Sequence, residues 1–298
     1  MNKRLGTVLL VVLLLMVGGA SAYWMMAHRA RQFRAEPEVT FAPETASSVP
    51  GTASPMAGGA SGGGQPISAT GGAAVSPGFM PQVGESFSYE ASVTQLNSTV
   101  ANIKLLVAGK RDLAGQDTWH LQGFAHTESP YRMIFELDDQ FDSYSESGSF
   151  TSVQYEMHLS ERGQKVDNVQ RLLSSPKEPA PADASAARVP PGTRDPLGLL
   201  QYLRGVDWSR MPEVRSPVYD GRKLYQVRAV LAARAVPVAV PAGKYAATKI
   251  EIQVKDNGAE MKDAHFVLYL ANDAARTPVQ MEAVLPVITA RVVLTKAN

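Results

Sequence analysis

The chain has 298 residues, a formal net charge of +1 and no cysteine. The near-neutral balance supplies no field for nucleic acid or acidic substrates, and Lys and Arg are dispersed without a basic run interleaved with aromatics. The missing thiols exclude cysteine nucleophiles, thiolate metal sites, disulfides and cysteine acylation in this sequence, so the fold must rest on its core.

At the N-terminus Lys3 and Arg4 precede the apolar run Val8 to Val17, which leads into "GGASA". Ala20 and Ala22 stand as the small residues of an A-x-A cleavage site. Apolar character nevertheless continues to Met26, and Leu5 to Met26 is about 22 residues, long enough for a helix to cross the ~30 Å hydrocarbon core. Tyr23 and Trp24 fit the interfacial aromatic belt. Residues 1–34 therefore read as a signal-anchor with a basic flank (Arg29, Arg31, Arg34), or as a signal peptide cleaved near Ala22. Either way the expectation is a bacterial periplasmic protein, tethered to the inner membrane through its N-terminal helix or released into the periplasm.

Residues 35–80 are rich in Gly, Ser, Pro and Ala and poor in large apolar side chains. They cannot bury enough surface to offset chain entropy and read as a disordered linker. Gly59-Ala60-Ser61-Gly62-Gly63 matches the G-x-S-x-G nucleophile elbow by letter. That motif works only on a strained strand-to-helix turn, which a Gly/Ser linker does not provide.

From residue 81 to 298 the pattern changes to period two, the signature of half-buried antiparallel strands. In "FSYEASV" Phe87, Tyr89, Ala91 and Val93 share one face; in "KIEIQVK" Ile250, Ile252 and Val254 do. Similar runs are Ile103–Val107, Thr118–Phe124, Arg132–Leu137, Ser152–Leu159, Val166–Leu172, Lys223–Leu231, His265–Leu270, Val279–Leu285 and Ile288–Leu294. These total about ten or eleven strands at hairpin spacing. The fold class expected is mainly β: a curled antiparallel meander, barrel-like or half-barrel, because a single sheet this long should curl.

One segment breaks the period. "DPLGLLQYLR", at about 195–204, offers Asp195 as N-cap and Pro196 as first helical residue, with Leu197, Leu200 and Leu203 on one stripe. Gly198 weakens the helix and Gly205 can end it. A Pro/Ala-rich loop at 175–194 leads into it. A short apolar helix on a long lead is expected to plug or lid the concave face of the sheet, either completing the core or gating a hydrophobic cavity.

With these residues on the page the sequence resembles a known family. "DPLGLLQYLR" (Asp195, Pro196, Tyr202, Leu203, Arg204) is followed by "YDGRKLYQVRA" (Asp220, Gly221, Arg222). Then come "VPAGKYAATKIEIQVKD" (Gly243, Tyr245) and "FVLYLANDAARTPVQMEA" (Asn272, Asp273, Arg276, Pro278, Val279). Their order and spacing resemble the bacterial exported-protein family called domain of unknown function 3108, over roughly Gly84 to Leu294. The chain departs from it in the Pro/Ala insertion and the long N-terminal tether. The resemblance implies a β-rich domain facing the periplasm and implies no activity.

Candidate chemistry is sparse. His120, His126, His158 and His265 show no H-x-H or H-x-x-x-H spacing and read as scattered strand histidines, so no metal ligands are assigned. "ELDDQFDSYSESGS" lacks the spacing and central Gly of an EF-hand loop and reads as a solvated turn. No nucleophile–base set or carboxylate pair can be placed, so no catalytic residue and no cofactor are expected. Arg204, Arg276 and Asp273 flank the helix and the penultimate turn, either as a structural ion pair or helix C-terminal Arg, or with the Arg pair reading a lipid headgroup or anionic glycan. The function expected is therefore a non-catalytic envelope protein that binds a hydrophobic or lipid-like ligand through Leu197, Leu200, Tyr202, Leu203, Arg204 and Arg276. The alternative is a tethered scaffold domain that docks on an envelope protein partner without a small ligand. Nucleic acid is not an expected partner.

Overall fold

The computed structural model describes residues 79–298, apart from Asn97, Ala114, 176–178, 180, 182–184, 262–263 and 286–287. The N-terminal segment and nearly all of the linker lie outside the described residues. Among the described residues no helix is long and apolar enough to cross a membrane. Phe79, assigned above to the linker, is buried against the domain.

The domain is one 14-stranded sheet curled around one helix. The N-terminal run comprises β1 (Ser86–Val93), β2 (Ser98–Leu113), β3 (Gln116–Thr127), β4 (Asp138–Glu146), β5 (Ser152–Glu161), β6 (Gln164–Leu173) and the short β7 (Ser185–Arg188). After helix α1 (Pro196–Gly205) come β8 (Glu213–Tyr219), β9 (Leu224–Val240), β10 (Gly243–Asp256), β11 (Ala259–Glu260), β12 (His265–Ala271), β13 (Pro278–Leu285) and β14 (Ile288–Ala297). The spatial order is β7-β6-β5-β4-β3-β2-β1-β14-β13-β12-β10-β9-β8, with β11 beside β10. Most chain neighbours on either side of α1 thus pair as hairpins, and the long-range pairing of β1 with β14 joins the two halves. Every pairing is antiparallel except β6 with β7.

Alternation sets the inner face. Phe87, Tyr89, Ala91 and Val93 of β1 are buried, while Ser88, Glu90 and Ser92 are half-exposed. A sheet of this width accumulates twist and rolls up rather than remaining flat. The segment just before α1 forms a seam that ties the β8 edge to β5. The Arg194 N–H donates to the Pro217 carbonyl (3.0 Å), and the Tyr219 N–H donates to the Arg194 carbonyl (2.8 Å). The Ser152 N–H donates to the Thr193 carbonyl (3.0 Å), which links the same segment to β5. Pro217 suits this edge because its carbonyl faces the seam, so the N–H it lacks is not one that β9 needs. Across the seam the turn after β8 packs on β5, where Gly221 (φ +93°) lies so close to Met157 that a Cβ would collide with it.

Several expectations need correction. Arg132–Leu137 is not a strand: a 3-10 turn at Tyr131–Met133 occupies it, and only Leu137 makes a lone bridge, to Glu161. The acidic stretch read as a solvated turn is β4, in the middle of the N-terminal half of the sheet. Its inward positions are Asp139, Phe141, Ser143 and Ser145, all buried. Polar residues on the inner face hid the strand because hydrophobic alternation was the signal sought. The strands number fourteen because β4, β7, β8 and β11 carry too little alternation to announce themselves.

Candidate functional site

Helix α1 lies inside the curl, against β3, β4 and β8. Its N-terminus is pinned by Asp195, which is fully buried. Oδ1 accepts the N–H groups of Leu197 (2.8 Å) and Gly198 (2.9 Å), satisfying two of the orphan donors of the first turn. Oδ2 accepts the hydroxyls of Ser143 from β4 and Ser152 from β5. Burial raises the Asp195 carboxyl above its ordinary value, against the pull of those four donors. Ser143 of β4 and Ser152 of β5 thus hold the start of the helix, with Ser145 bonded to Ser143 behind it. Arg194, 1% exposed, stacks its guanidinium 3.7 Å from the Tyr202 ring and donates to the Ser149 carbonyl.

The C-terminal end is pinned as firmly. Arg204 forms a bidentate pair with Glu85 (Nη1–Oε2 2.8 Å, Nη2–Oε1 2.7 Å). Its remaining N–H groups go to Gln201 Oε1 and to the carbonyls of Ala275 and Arg276. Arg276, at φ +47°, donates in turn to the carbonyls of Arg204 (2.7 Å) and Val206 (2.8 Å), neutralising the helix's negative end. Phe79 lies against both guanidinium groups.

Between α1 and the C-terminal half of the sheet lies a cavity of about 120 Å³. Leu199, Leu200 and Leu203 form its helix wall; Val227, Ile252 and Phe266 are among the strand residues opposite. Ile252 is half-exposed although its neighbours in register on the inner face, Ile250 and Val254, are buried, because it borders this space. Asp220 lines the cavity at the end of β8. Its Oδ1 accepts the N–H groups of Arg222 and Lys223. Its Oδ2 is buried, and the Tyr225 hydroxyl is the donor beside the carboxyl. Burial pushes Asp220 up to about 6, against the pull of the two backbone N–H groups. Glu282, also at the rim, turns its carboxylate outward to Gln280 and Arg291.

The residues expected from sequence therefore divide. Leu200 and Leu203 line the cavity. Leu197 faces the other way, toward Phe87, Leu105 and Leu121. Tyr202 lies under Arg194, Arg204 binds at the helix end through all its N–H groups, and Arg276 does so through Nη1. All five N–H groups of Arg204 have partners within the domain. Leu199, Asp220, Tyr225 and the strand residues of the cavity were missed. Asp220 could have been singled out only as the first residue of a D-G turn, a signal for a turn and not for a site.

The family comparison bears on the whole β-domain. No curated protein matches the chain. Among solved structures, a β-barrel-like protein of domain of unknown function DUF1849 from Brucella abortus is 13% identical. The match covers 72% of this chain and 97% of that one, with a TM-score of 0.45. A hypothetical protein from Chlamydia trachomatis is 6% identical over 73% of this chain and 87% of that one, with a TM-score of 0.35. The family model for protein of unknown function DUF3108 matches residues 88–295, from β1 to β14, and the chain belongs to that family.

Proposed function

We propose that the domain is a non-catalytic binding module of the bacterial envelope that holds a small apolar ligand, or the end of a lipid-like one, between α1 and strands β8 to β13. The cavity of about 120 Å³ with its Leu199, Leu200 and Leu203 wall supports this reading most directly. An apolar cavity of roughly 150 Å³ stays dry and accepts a benzene ring, so this one suits one ring or a short length of chain. A longer acyl chain would have to continue out of the mouth, since both ends of α1 are pinned. Asp220 is the single buried polar anchor on the wall, and it selects a ligand that brings a hydrogen-bond donor to that end. The envelope location rests on the N-terminal sequence.

Native mass spectrometry of protein taken from an envelope fraction, followed by organic extraction, tests the proposal. A reproducible bound mass released by solvent is the expected result, and Leu199→Trp, which fills the cavity from the helix side, should remove it. A clean apo mass, together with no uptake of small aromatic probes, would overturn it. The second reading is a docking domain without a ligand. It is favoured by Met133 and Ile134, which stand 89% and 66% exposed in the turn between β3 and β4. Envelope crosslinking from Ile134 is the experiment that would bring it forward.

A further inference from the structure

The outer face of the N-terminal half presents a second constellation, independent of the cavity. Antiparallel register places Asp142 of β4 opposite Glu156 of β5, Gln140 opposite His158, and His158 opposite Asp167 of β6. Asp142 Oδ2, Glu156 Oε2 and His158 Nε2 converge, all within 4.8 Å of one another. His158 Nε2 is 3.3 Å from the Glu156 oxygen and 4.0 Å from the Asp142 oxygen. We propose that these three atoms form a binding site for one divalent transition-metal ion, with Zn²⁺ as the reference occupant.

Three features support the assignment beyond proximity. First, the non-ligating atom of each residue is already held. Asp167 Oδ1 lies 2.7 Å from His158 Nδ1. Asp142 Oδ1 takes His120 Nε2 (2.6 Å) and Gln122 Nε2 (2.8 Å), and Glu156 Oε1 takes Gln154 Nε2. A carboxylate on the far nitrogen of a ligating histidine is the usual device that fixes its tautomer and raises its basicity.

Second, the convergence itself calls for a cation. His158 Nε2 faces two carboxylate oxygens, Glu156 Oε2 at 3.3 Å and Asp142 Oδ2 at 4.0 Å. Three lone pairs cannot face one another across 3–4 Å unless a proton or a metal ion lies among them. Gln140 Nε2 occupies one lone pair of Asp142 Oδ2 (2.7 Å) and leaves the other for the ion.

Third, the spacing fits. Metal bonds of about 2.0–2.2 Å in tetrahedral geometry set neighbouring ligand atoms about 3.3–3.5 Å apart, so a side-chain adjustment of about 1 Å closes the site. Asp142 is 5% exposed, Glu156 16% and His158 36%, so the ion would rest on a buried carboxylate with its remaining positions open to water. A mixed imidazole and carboxylate set suits Zn²⁺ and its first-row neighbours better than Mg²⁺ or Ca²⁺.

The test uses untagged full-length protein in detergent, stripped with chelator and titrated with Zn²⁺ by calorimetry at pH 7.5. One saturable equivalent is expected, abolished by His158→Ala and by Glu156→Gln. Asp167→Asn should weaken binding about 10–100-fold while leaving the ligands in place. His126→Ala, which removes an exposed histidine on β3, should change nothing. Far-UV circular dichroism and unchanged melting of the metal-free variants separate lost ligation from lost fold. Absence of saturable binding would overturn the proposal in favour of a proton shared by the three groups. Binding that survives both His158→Ala and Glu156→Gln would overturn it equally.

Discussion

Arg204 and Glu85 face each other as a bidentate ion pair, with the guanidinium fully buried and the carboxylate side chain 10% exposed. One residue lies in the last turn of α1 and the other precedes β1, so the pair fastens the helix to the strand that joins the two halves of the sheet. Removing one partner leaves an uncompensated buried charge. Arg204→Met and Glu85→Leu should each cost about 3–5 kcal/mol in urea unfolding. The double variant should recover a large part of that loss. A double variant as unstable as the sum of the singles would show no coupling between the two groups and would overturn this account.

Gly198 is the position where local propensity and tertiary packing disagree most sharply. Ala in place of a helical Gly ordinarily stabilises by about 1 kcal/mol. Here a Cβ would stand 2.8 Å from Ser145 Oγ and 2.9 Å from the Phe150 carbonyl, and the latter is backbone that cannot turn aside. Gly198→Ala should therefore destabilise by about 1–3 kcal/mol, read from the urea midpoint at unchanged slope.

Asp195 is held from both directions, by backbone N–H groups on one oxygen and two serine hydroxyls on the other. Asp195→Ala removes the N-cap and strands Ser143 and Ser152 in the interior. The loss should exceed the ~1 kcal/mol of an ordinary surface cap and reach about 2 kcal/mol or more. Hydrogen exchange should show the α1 amides opening before those of β1 and β14.

The acid-range stability should bear the mark of Asp139. Burial pushes its carboxyl up to about 7, against the Ser160 N–H and with Glu161 adding to the rise. Between about pH 4, where the unfolded carboxyl loses its proton, and about pH 7, the folded chain binds a proton that the unfolded chain does not. Stability from this group is thus fully present at low pH and falls as pH rises through that window. Asp139→Asn should flatten the fall and raise stability at pH 7.5, measured by urea unfolding across a pH series. Asp220, pushed up to about 6, and Glu161, also raised by burial, act with the same sign and keep part of the slope in the variant.

Legibility followed the kind of signal each element needed. β1 and β10 were plain because apolar residues sit on the inner face at every second position. α1 was plain because Asp195-Pro196 is a cap and first-turn pair that needs nothing from the rest of the chain, and its Oδ1 makes the expected bonds. β4 was misread because its inner face receives a polar helix cap, so Ser143 answers to Asp195, about fifty residues on. The cavity was half legible: Leu200 and Leu203 stood out by spacing, whereas Asp220 and Ile252 belong to it only through the roll of the sheet. Arg276 was noticed beside Arg204, yet nothing local shows that both bind carbonyls at the end of the helix.

What the sequence determined by itself was local and periodic: the strands with apolar alternation, the one capped helix, the low-complexity lead of the domain, and through ordered motifs the family. Hydrophobic period, capping chemistry and turn residues act within a few positions, so they can be read in one dimension. What only the tertiary structure decided was which distant residues meet. The pairing of β1 with β14, the seam at Arg194, the cavity behind α1 and the meeting of Asp142, Glu156 and His158 all depend on the register and curl of fourteen strands. Those are properties of twist and closure summed over the whole sheet, and no short window contains them.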